Sequence, residues 1–214
     1  TYMIHTFTNG GMTLRWFRDK FCPIEMEAQK LDLDDAYNMI SKQVAQIPAG
    51  SDGLVMLPHL AGSNAPDVNA KAKGVWFGFT LQHTRAHFMR AVMESLGYIV
   101  RRNIDALADM GIQVKEIRSL GGGSKSKVWN QIKSDINQIP LETVNSVEAA
   151  SLGAAILAGK AVGVFADIQT AVSNMVQVKD RTQPNLEQKA VYDQGYAMYK
   201  KLFADLSDCF EQSL

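Results

Sequence analysis

The fold is decided at Ser119-Leu120-Gly121-Gly122-Gly123-Ser124-Lys125-Ser126, where a strand gives way to three glycines and then to a helix. The residues from Val114 to Leu120 have the composition of a strand, and those from Lys125 to Asn137 have the period of a helix. Glycine lets the backbone approach a ligand without an obstructing Cβ. The helix N-terminus behind it offers unpaired N–H groups and partial positive charge, so the segment suits a phosphate.

The charge around this turn also suits an anion. Five cations and one glutamate lie between Lys115 and Lys133. A P-loop is excluded because no Gly-Lys-Ser/Thr follows at the required spacing. A dinucleotide fingerprint is excluded because the third glycine of G-x-G-x-x-G is absent. Two interpretations remain open from these residues: a phosphate-binding turn, and a tight strand–helix turn that binds nothing.

A second segment combines small residues on a predicted helix. The helix runs from Glu148 to Ala158, with Gly159 as its predicted C-cap residue. Ala150, Gly153 and Ala154 share one face of it. Such a face permits the close approach of another helix or of a flat ligand such as a purine, and both readings stay open.

A third segment is a strand with two glycines at 74–80, which leads into the longest predicted helix at roughly 82–110. Thr80 either caps that helix or points its hydroxyl at an anion. His83 and His87 lie four residues apart, which could place both on one helix face. No third ligand accompanies them, so the pattern favours capping and packing over a metal site.

The rest of the chain alternates short apolar runs with helical periods, which predicts an α/β fold. A long loop rich in Pro, Gly, Asn and Asp is predicted at 58–73 and is expected to be functional or to contact another part of the protein. The other predicted elements are a strand at 1–8 with a turn at Asn9-Gly10-Gly11, a helix through Leu14, Trp16 and Phe17, a helix capped by Asp34 that carries Ala36, Met39, Ile40 and Val44, strands at 53–57 and 140–144, and a final amphipathic helix at 187–210 with a stripe of Tyr192, Tyr196, Tyr199, Phe203, Leu206 and Phe210.

Composition bounds the class of protein. The chain has 214 residues, 46% hydrophobic and 21% charged, which excludes a wholly disordered chain. Lys plus Arg and Asp plus Glu both equal 22, and this zero net charge argues against nucleic acid as a partner. The sequence contains no apolar stretch long enough for a membrane span and no signal peptide. The only cysteines, Cys22 and Cys209, lie far apart, which favours a reducing compartment and predicts a cytoplasmic protein.

Three acidic residues are candidate general bases, Asp52, Asp67 and Glu94. Nothing in the sequence activates one of them over the others. The chain begins at Thr1 within a strand-like run, which indicates a fragment. An unpaired edge on that first strand predicts self-association, as a homodimer.

Taken together, four blocks in this order and spacing resemble the C-terminal domain of the FGGY carbohydrate kinases. The resemblance covers nearly the whole chain, from about residue 2 to the C-terminus, and two segments, 14–19 and 83–87, look most like the xylulose kinase branch. The four blocks are Met56–Ser63 with Pro66, Gly74–Glu94, Leu120–Asp135 and Glu148–Ala155.

This resemblance implies a ribonuclease-H-like domain of the actin-like ATPase fold, with a mixed sheet and flanking helices. Residues 1–214 would form the C-terminal nucleotide-binding domain, and the sugar would bind a domain upstream of this chain. The whole protein would transfer the γ-phosphate of ATP to a sugar hydroxyl, with ATP/ADP and Mg²⁺ as cofactors. D-xylulose is the expected substrate. The alternatives are a kinase for glycerol, gluconate or ribulose, and a non-catalytic nucleotide-binding or structural module.

The resemblance also implies roles for individual residues, but it assigns no catalytic and no metal-binding residue to this chain. The family's catalytic aspartate lies in a Gly-x-x-Asp motif upstream of the segment that matches Tyr2 onward, and its Asp-x-Gly-Thr/Ser phosphate motif has no match here. The chain alone is therefore expected to be inactive. By this resemblance, the phosphates would contact Gly121, Gly122 and Gly123, and the nucleoside would contact Ser126 and Asn130. The adenine would lie beside Ala149 and Gly153, and the terminal phosphates would face Gly78 and Thr80.

Overall fold

The computed structural model describes residues 10–146 and 148–212, so the predicted strand at 1–8 lies outside the described residues. Three short 3₁₀ turns, at Ser51–Gly53, Gly122–Lys125 and Leu186–Gln188, lie between the main elements. None of the described helices combines the length and hydropathy needed to cross a membrane. The main elements are α1 (Gly10–Phe21), α2 (Pro23–Lys30), α3 (Ala36–Val44), β1 (Val55–Pro58), β2 (Gly74–Phe77), α4 (Arg85–Asp109), β3 (Ile117–Ser119), α5 (Lys127–Asn137), β4 (Leu141–Val144), α6 (Ala149–Ala161), α7 (Ile168–Met175), β5 (Val178–Thr182), α8 (Lys189–Asp205) and α9 (Ser207–Gln212).

The strands form two small sheets. β1 and β2 pair antiparallel, with Val55 opposite Phe77. In the other sheet β4 is central, parallel to β3 and antiparallel to β5, so the sheet is mixed as predicted. Because β3 and β4 are parallel, their C-terminal ends emerge at the same edge. The glycine turn after Ser119 and the loop after Val144 therefore leave the sheet side by side.

α4 is the central helix of the fold. Its 25 residues give it a length of about 37 Å. It packs against α1, α3, α5, α8 and β1. A Cβ on Gly97 would lie 2.5 Å from Ile136 Cδ1, so a larger residue here would force this buried side chain to shift. On the other side, the tyrosine stripe of α8 is buried in the core. Tyr192 accepts a hydrogen bond from Arg90 of α4, and the Tyr199 ring contacts that of Tyr98 in α4.

A buried carboxylate joins α4 to the turn that precedes β1. Glu94 is 1% exposed, and its Oε1 accepts hydrogen bonds from Arg90 Nε at 2.8 Å and Gly50 N at 2.9 Å. Its Oε2 accepts from Ser51 Oγ at 2.8 Å. Burial raises the pKa of Glu94, and the Arg90 guanidinium and the Ser51 hydroxyl partly offset this. Arg90 also donates to the Tyr192 hydroxyl at 2.8 Å, which ties α8 into the same network.

Several helix ends differ from the sequence-based predictions. α1 already begins at Gly10, so no turn occupies Gly10-Gly11. The N-cap of α3 is Asp35, which accepts from two backbone N–H groups, whereas Asp34 accepts from Lys42. Gly159 lies inside α6 rather than at its end. A Cβ there would lie 2.5 Å from the Phe165 ring, so this glycine serves close packing.

The predicted Thr80 cap is also wrong, because α4 begins after Thr84. The Thr84 backbone N–H donates to His87 Nδ1 at 3.1 Å, so the predicted capping role of His87 is confirmed. His83 precedes the helix instead of sharing its face, although the two imidazole rings are in edge contact. The last predicted helix is two helices, α8 and α9, and α2, α7 and β5 were not predicted at all.

We predict that Glu94→Gln lowers the free energy of unfolding by about 3 kcal/mol, because it leaves the buried Arg90 guanidinium without a counter-ion. Urea unfolding measures this loss. The control is Asp205→Asn, which breaks an exposed pair whose side chains are 66% and 55% exposed, and there we expect less than about 1 kcal/mol. Equal, small losses in both variants would contradict the prediction.

Candidate functional site

The glycine turn is a hydrogen-bonded loop with two open glycines. Gly121 leaves β3 at a φ of +73°, and Ser124 closes the loop by donating its backbone N–H and its hydroxyl to the Gly121 carbonyl, at 3.1 and 2.7 Å. A Cβ added at Gly121 or Gly122 would meet no atom within 4 Å. A Cβ at Gly123 would lie 2.8 Å from the Trp129 ring. The first two glycines therefore present bare backbone, and the third serves packing.

Two further predicted residues lie directly beyond this turn. Ser126 is the N-cap of α5, where its Oγ accepts from Trp129 N at 3.2 Å and lies 3.1 Å from Ser41 Oγ of α3. Asn130 lies one turn further along α5 and donates from Nδ2 to the Ser124 carbonyl at 2.7 Å. Its side-chain Oδ1 is buried without a hydrogen-bond partner. The structure thus brings five of the predicted residues together, Gly121, Gly122, Gly123, Ser126 and Asn130.

A cavity of about 630 Å³ adjoins this cluster. It runs from the end of the glycine turn along α5 to the two neighbouring strands. Its volume lies in the usual range for small-molecule sites. A second cavity, beside His59 and Tyr199, has a volume of only about 10 Å³, which is the size of one water. The large cavity is lined by Ser124, Lys125, Lys127, Asn130, Gln131, Thr143, Val144 and residues 179–183.

Only some of the cations near the turn are available to an anion. Arg118 is paired with Glu116 and Glu142, both at 3.1 Å. Lys133 packs behind the turn, with Nζ 2.7 Å from Ser119 Oγ and 5.2 Å from the centre of the Trp129 ring. Burial lowers the pKa of Lys133 to about 8. The positive charge that faces the cavity from the turn therefore comes from Lys125 and Lys127.

The small-residue face of α6 is open. Ala150 and Ala154 are exposed, and a Cβ on Gly153 would meet no atom within 4 Å. Close packing of another helix on this face does not occur within the described residues. Ala149 and Gly153 are half-buried and do not line the large cavity. Their predicted role beside adenine stays a prediction.

Gly78 and Thr80 belong to a second cluster at the end of β2. Gly78 has a φ of +89°, and a Cβ there would lie 2.6 Å from the Gly53 carbonyl oxygen. Thr80 donates its backbone N–H to His83 Nδ1 at 2.9 Å. Within the described part of the chain, no hydrogen bond joins either residue to the glycine turn. Their predicted contact with terminal phosphates stays a prediction.

The three candidate general bases are engaged elsewhere. Glu94 belongs to the buried network with Arg90. Asp67 is paired with Arg102 at 2.8 Å. Asp52 accepts from His87 Nε2 at 3.0 Å, since the other nitrogen of that ring already accepts from a backbone N–H. None of the three lines the large cavity.

The sequence matches the FGGY family of carbohydrate kinases, C-terminal domain, over residues 1–162. The chain belongs to this family. A xylulose kinase of Staphylococcus epidermidis is 32% identical over 193 residues, which is 90% of this chain and 37% of that protein. A gluconokinase of Bacillus subtilis is 37% identical over 205 residues, covering 95% of this chain and 39% of that protein. This FGGY chain therefore spans about two fifths of the length of the curated relatives it matches.

Solved structures show the same architecture. The crystal structure of xylulose kinase from Rhodospirillum rubrum superposes with a TM-score of 0.79 at 31% identity, over 94% of this chain and 39% of that one. The predicted fold is confirmed: this FGGY domain has the ribonuclease-H-like, actin-like fold, with a mixed sheet and flanking helices. The glycine turn follows the C-terminal end of β3, and the cavity extends from there along β5.

We predict that Lys133→Met stabilises the chain at neutral pH. A lysine in the unfolded chain keeps its proton up to its usual pKa of 10.5, whereas the folded chain releases it near 8. Between these values the unfolded state binds more protons, so the free energy of unfolding rises with pH, by about 3 kcal/mol in full. The variant lacks this rise and should be the more stable form below about pH 8, with the difference vanishing towards about pH 10.5.

Urea unfolding of both proteins across this pH range measures the effect. Lys201→Met, which replaces a lysine 66% exposed in its side chain, is the control and should follow the unaltered chain. Parallel pH profiles for Lys133→Met and the unaltered chain would refute the prediction.

Proposed function

We propose that this chain is the nucleotide-binding half of an ATP-dependent sugar kinase. The observation that carries the proposal is the bare backbone at Gly121 and Gly122, next to the N-terminus of α5 and a cavity large enough for a nucleoside. Backbone N–H groups at such a helix start are suited to phosphate oxygens. Membership of a carbohydrate kinase family supports the same assignment.

The residues present fit a nucleotide. The phosphates would lie along Gly121, Gly122 and Gly123, and at the first two of these a side chain would fill the space that the phosphates need. The nucleoside would extend past Ser126 and Asn130, with Ala149 and Gly153 beside adenine and Gly78 and Thr80 towards the terminal phosphates. ATP would supply the transferable γ-phosphoryl group. This chain's own contribution is to bind and orient it.

Mg²⁺ would enter with the nucleotide. Among residues 10–146 and 148–212, no group of three or more His, Cys, Asp and Glu side chains could hold a metal ion. Mg²⁺ commonly keeps several waters and binds phosphates with one or two carboxylates. We therefore assign no described side chain to the metal.

The acceptor is proposed to be D-xylulose, converted to xylulose 5-phosphate in the cytoplasm. Gluconate is the second candidate, because the chain is 37% identical to a gluconokinase and 32% identical to a xylulose kinase. In this proposal the sugar contacts an upstream domain. Steady-state kinetics of the full-length protein on a panel of sugars distinguishes the two substrates. A kcat/KM at least about tenfold higher for gluconate than for D-xylulose would make gluconate the proposed substrate.

We predict that this chain alone does not turn over ATP and sugar. The three candidate bases are engaged elsewhere, and phosphoryl transfer depends on positioning and charge neutralisation, to which the expected upstream domain would contribute. A coupled assay for ADP release, with D-xylulose or gluconate, should stay at the blank rate. Full-length protein in the same assay is the positive control, and release by the chain at about 1 s⁻¹ or more, as in kinases, would overturn the prediction.

We also predict that Gly122→Val abolishes ADP binding while leaving the ligand-free chain as stable as before. The new Cβ meets no protein atom within 4 Å, so its effect falls on the ligand. In the unaltered chain, Mg²⁺ and ADP at about 100 times the dissociation constant should add about 2.7 kcal/mol of stability. Thermal unfolding with and without Mg²⁺ and ADP measures the stability of the ligand-free chain and the shift on binding. An undiminished shift in Gly122→Val would mean that the glycine turn is only a turn.

A further inference from the structure

We infer that His83 is a positioning residue, which holds Thr80 in place for the terminal phosphates of a nucleoside triphosphate. This inference rests on the proposed function, which directs Thr80 towards those phosphates, and it adds the side chain through which Thr80 is held. It comes from the connection between β2 and α4. Two Thr-x-x-His units follow each other there without a gap, Thr80 to His83 and Thr84 to His87.

The same hydrogen bonds close both units. In each unit the histidine backbone N–H donates to the threonine carbonyl, at 3.2 Å for Thr80 and 2.9 Å for Thr84. The threonine backbone N–H donates in return to the histidine Nδ1, at 2.9 Å in the first unit and 3.1 Å in the second. Since Nδ1 accepts a hydrogen bond in both rings, each ring carries its proton on Nε2.

The two units differ in what they support. The second unit begins α4 with Thr84 as its N-cap, and Nε2 of His87 donates to Asp52 at 3.0 Å. No helix begins at the first unit. Nε2 of His83 is buried without a hydrogen-bond partner among the described residues, so the polar contact of this ring is made through Nδ1. The ring of His83 therefore fixes the turn at 80–83 and does not cap a helix.

This closure determines which group Thr80 offers to a ligand. The single lone pair of Nδ1 is taken by the Thr80 backbone N–H, which removes that N–H from the ligand's reach. Thr80 Oγ1 accepts from Gln82 N at 3.3 Å and lies 3.1 Å from Nδ1, so its hydrogen can turn to a phosphate oxygen. Thr80 is exposed. Without the His83 ring, the turn would have to be ordered on binding, at a cost in affinity.

The first test measures binding of β,γ-imido-ATP and of AMP, which lacks the terminal phosphates, to the 214-residue chain with Mg²⁺ by titration calorimetry. We expect His83→Leu to weaken binding of the triphosphate about tenfold, as for one hydrogen bond to a charged group, and to leave AMP binding unchanged. His83→Asn keeps an acceptor at the δ1 position and should bring the affinity back to within about threefold. Gln82→Leu, at an exposed position of the same turn, is the matched control and should bind both nucleotides as the unaltered chain does.

The outcomes separate this inference from the proposed function. An undiminished affinity of His83→Leu for the triphosphate, an equal loss for AMP, or a loss in His83→Asn as large as that in His83→Leu would overturn the inference alone. Failure of the unaltered chain to bind either nucleotide would overturn the proposed function and the inference with it. Unchanged AMP binding also shows that His83→Leu is folded.

The second test asks whether His83 acts through Thr80. Thr80→Val removes the hydroxyl and keeps the backbone N–H that donates to Nδ1, and we expect it to weaken triphosphate binding about as much as His83→Leu does. Adding His83→Leu to Thr80→Val should then change the affinity by less than about twofold, because the hydroxyl that His83 positions is already gone. Losses that add in the double variant would overturn the assignment.

Discussion

The buried carboxylate of Glu94 is the interaction on which the arrangement of both clusters depends. It takes three hydrogen bonds from α4 and from the turn that precedes β1. That turn runs through four consecutive residues with positive φ, Gly50 to Gly53, and two of them carry side chains. Such a conformation costs free energy at Ser51 and Asp52 and persists only where its surroundings impose it. Hydrogen bonds from Gly50 and Ser51 to Glu94 impose it here.

The same stretch of α4 supports the glycine turn from its other side. Trp129 of α5 donates from Nε1 to the Met93 carbonyl at 3.1 Å, one residue before Glu94. The ring of Trp129 then lies against Gly123. Glu94 holds the turn at residues 50–53, and the Gly53 carbonyl of that turn lies against Gly78. Met93 holds α5 and, through Trp129, the glycine turn. One turn of helix therefore sets the positions of two clusters that are far apart in sequence.

Local patterns predicted the glycine turn, the long helix and the aromatic stripe, because each is encoded by neighbouring residues. β5 was missed because Val178–Thr182 has an almost wholly exposed, polar sequence and is a strand only through its pairing with β4. Gly159 was misassigned because the Phe165 ring that it accommodates is not visible in a local helix pattern. Glu94 looked like a candidate base because its partner Ser51 lies 43 residues away, and the hydrogen bond appears only in the fold.

The three glycines of the turn differ in structural role, and the site matches neither a P-loop nor a dinucleotide fingerprint. Gly123 packs against the Trp129 ring, so among the three glycines only Gly121 and Gly122 have open space beside the backbone. The Ser126 hydroxyl caps the N-terminus of α5, and Lys133 is buried behind the turn. The turn and α5 contribute Ser124, Lys125, Lys127, Asn130 and Gln131 to the cavity lining, and the two lysines are exposed. The charge that the turn contributes to this cavity therefore comes from side chains outside its glycines.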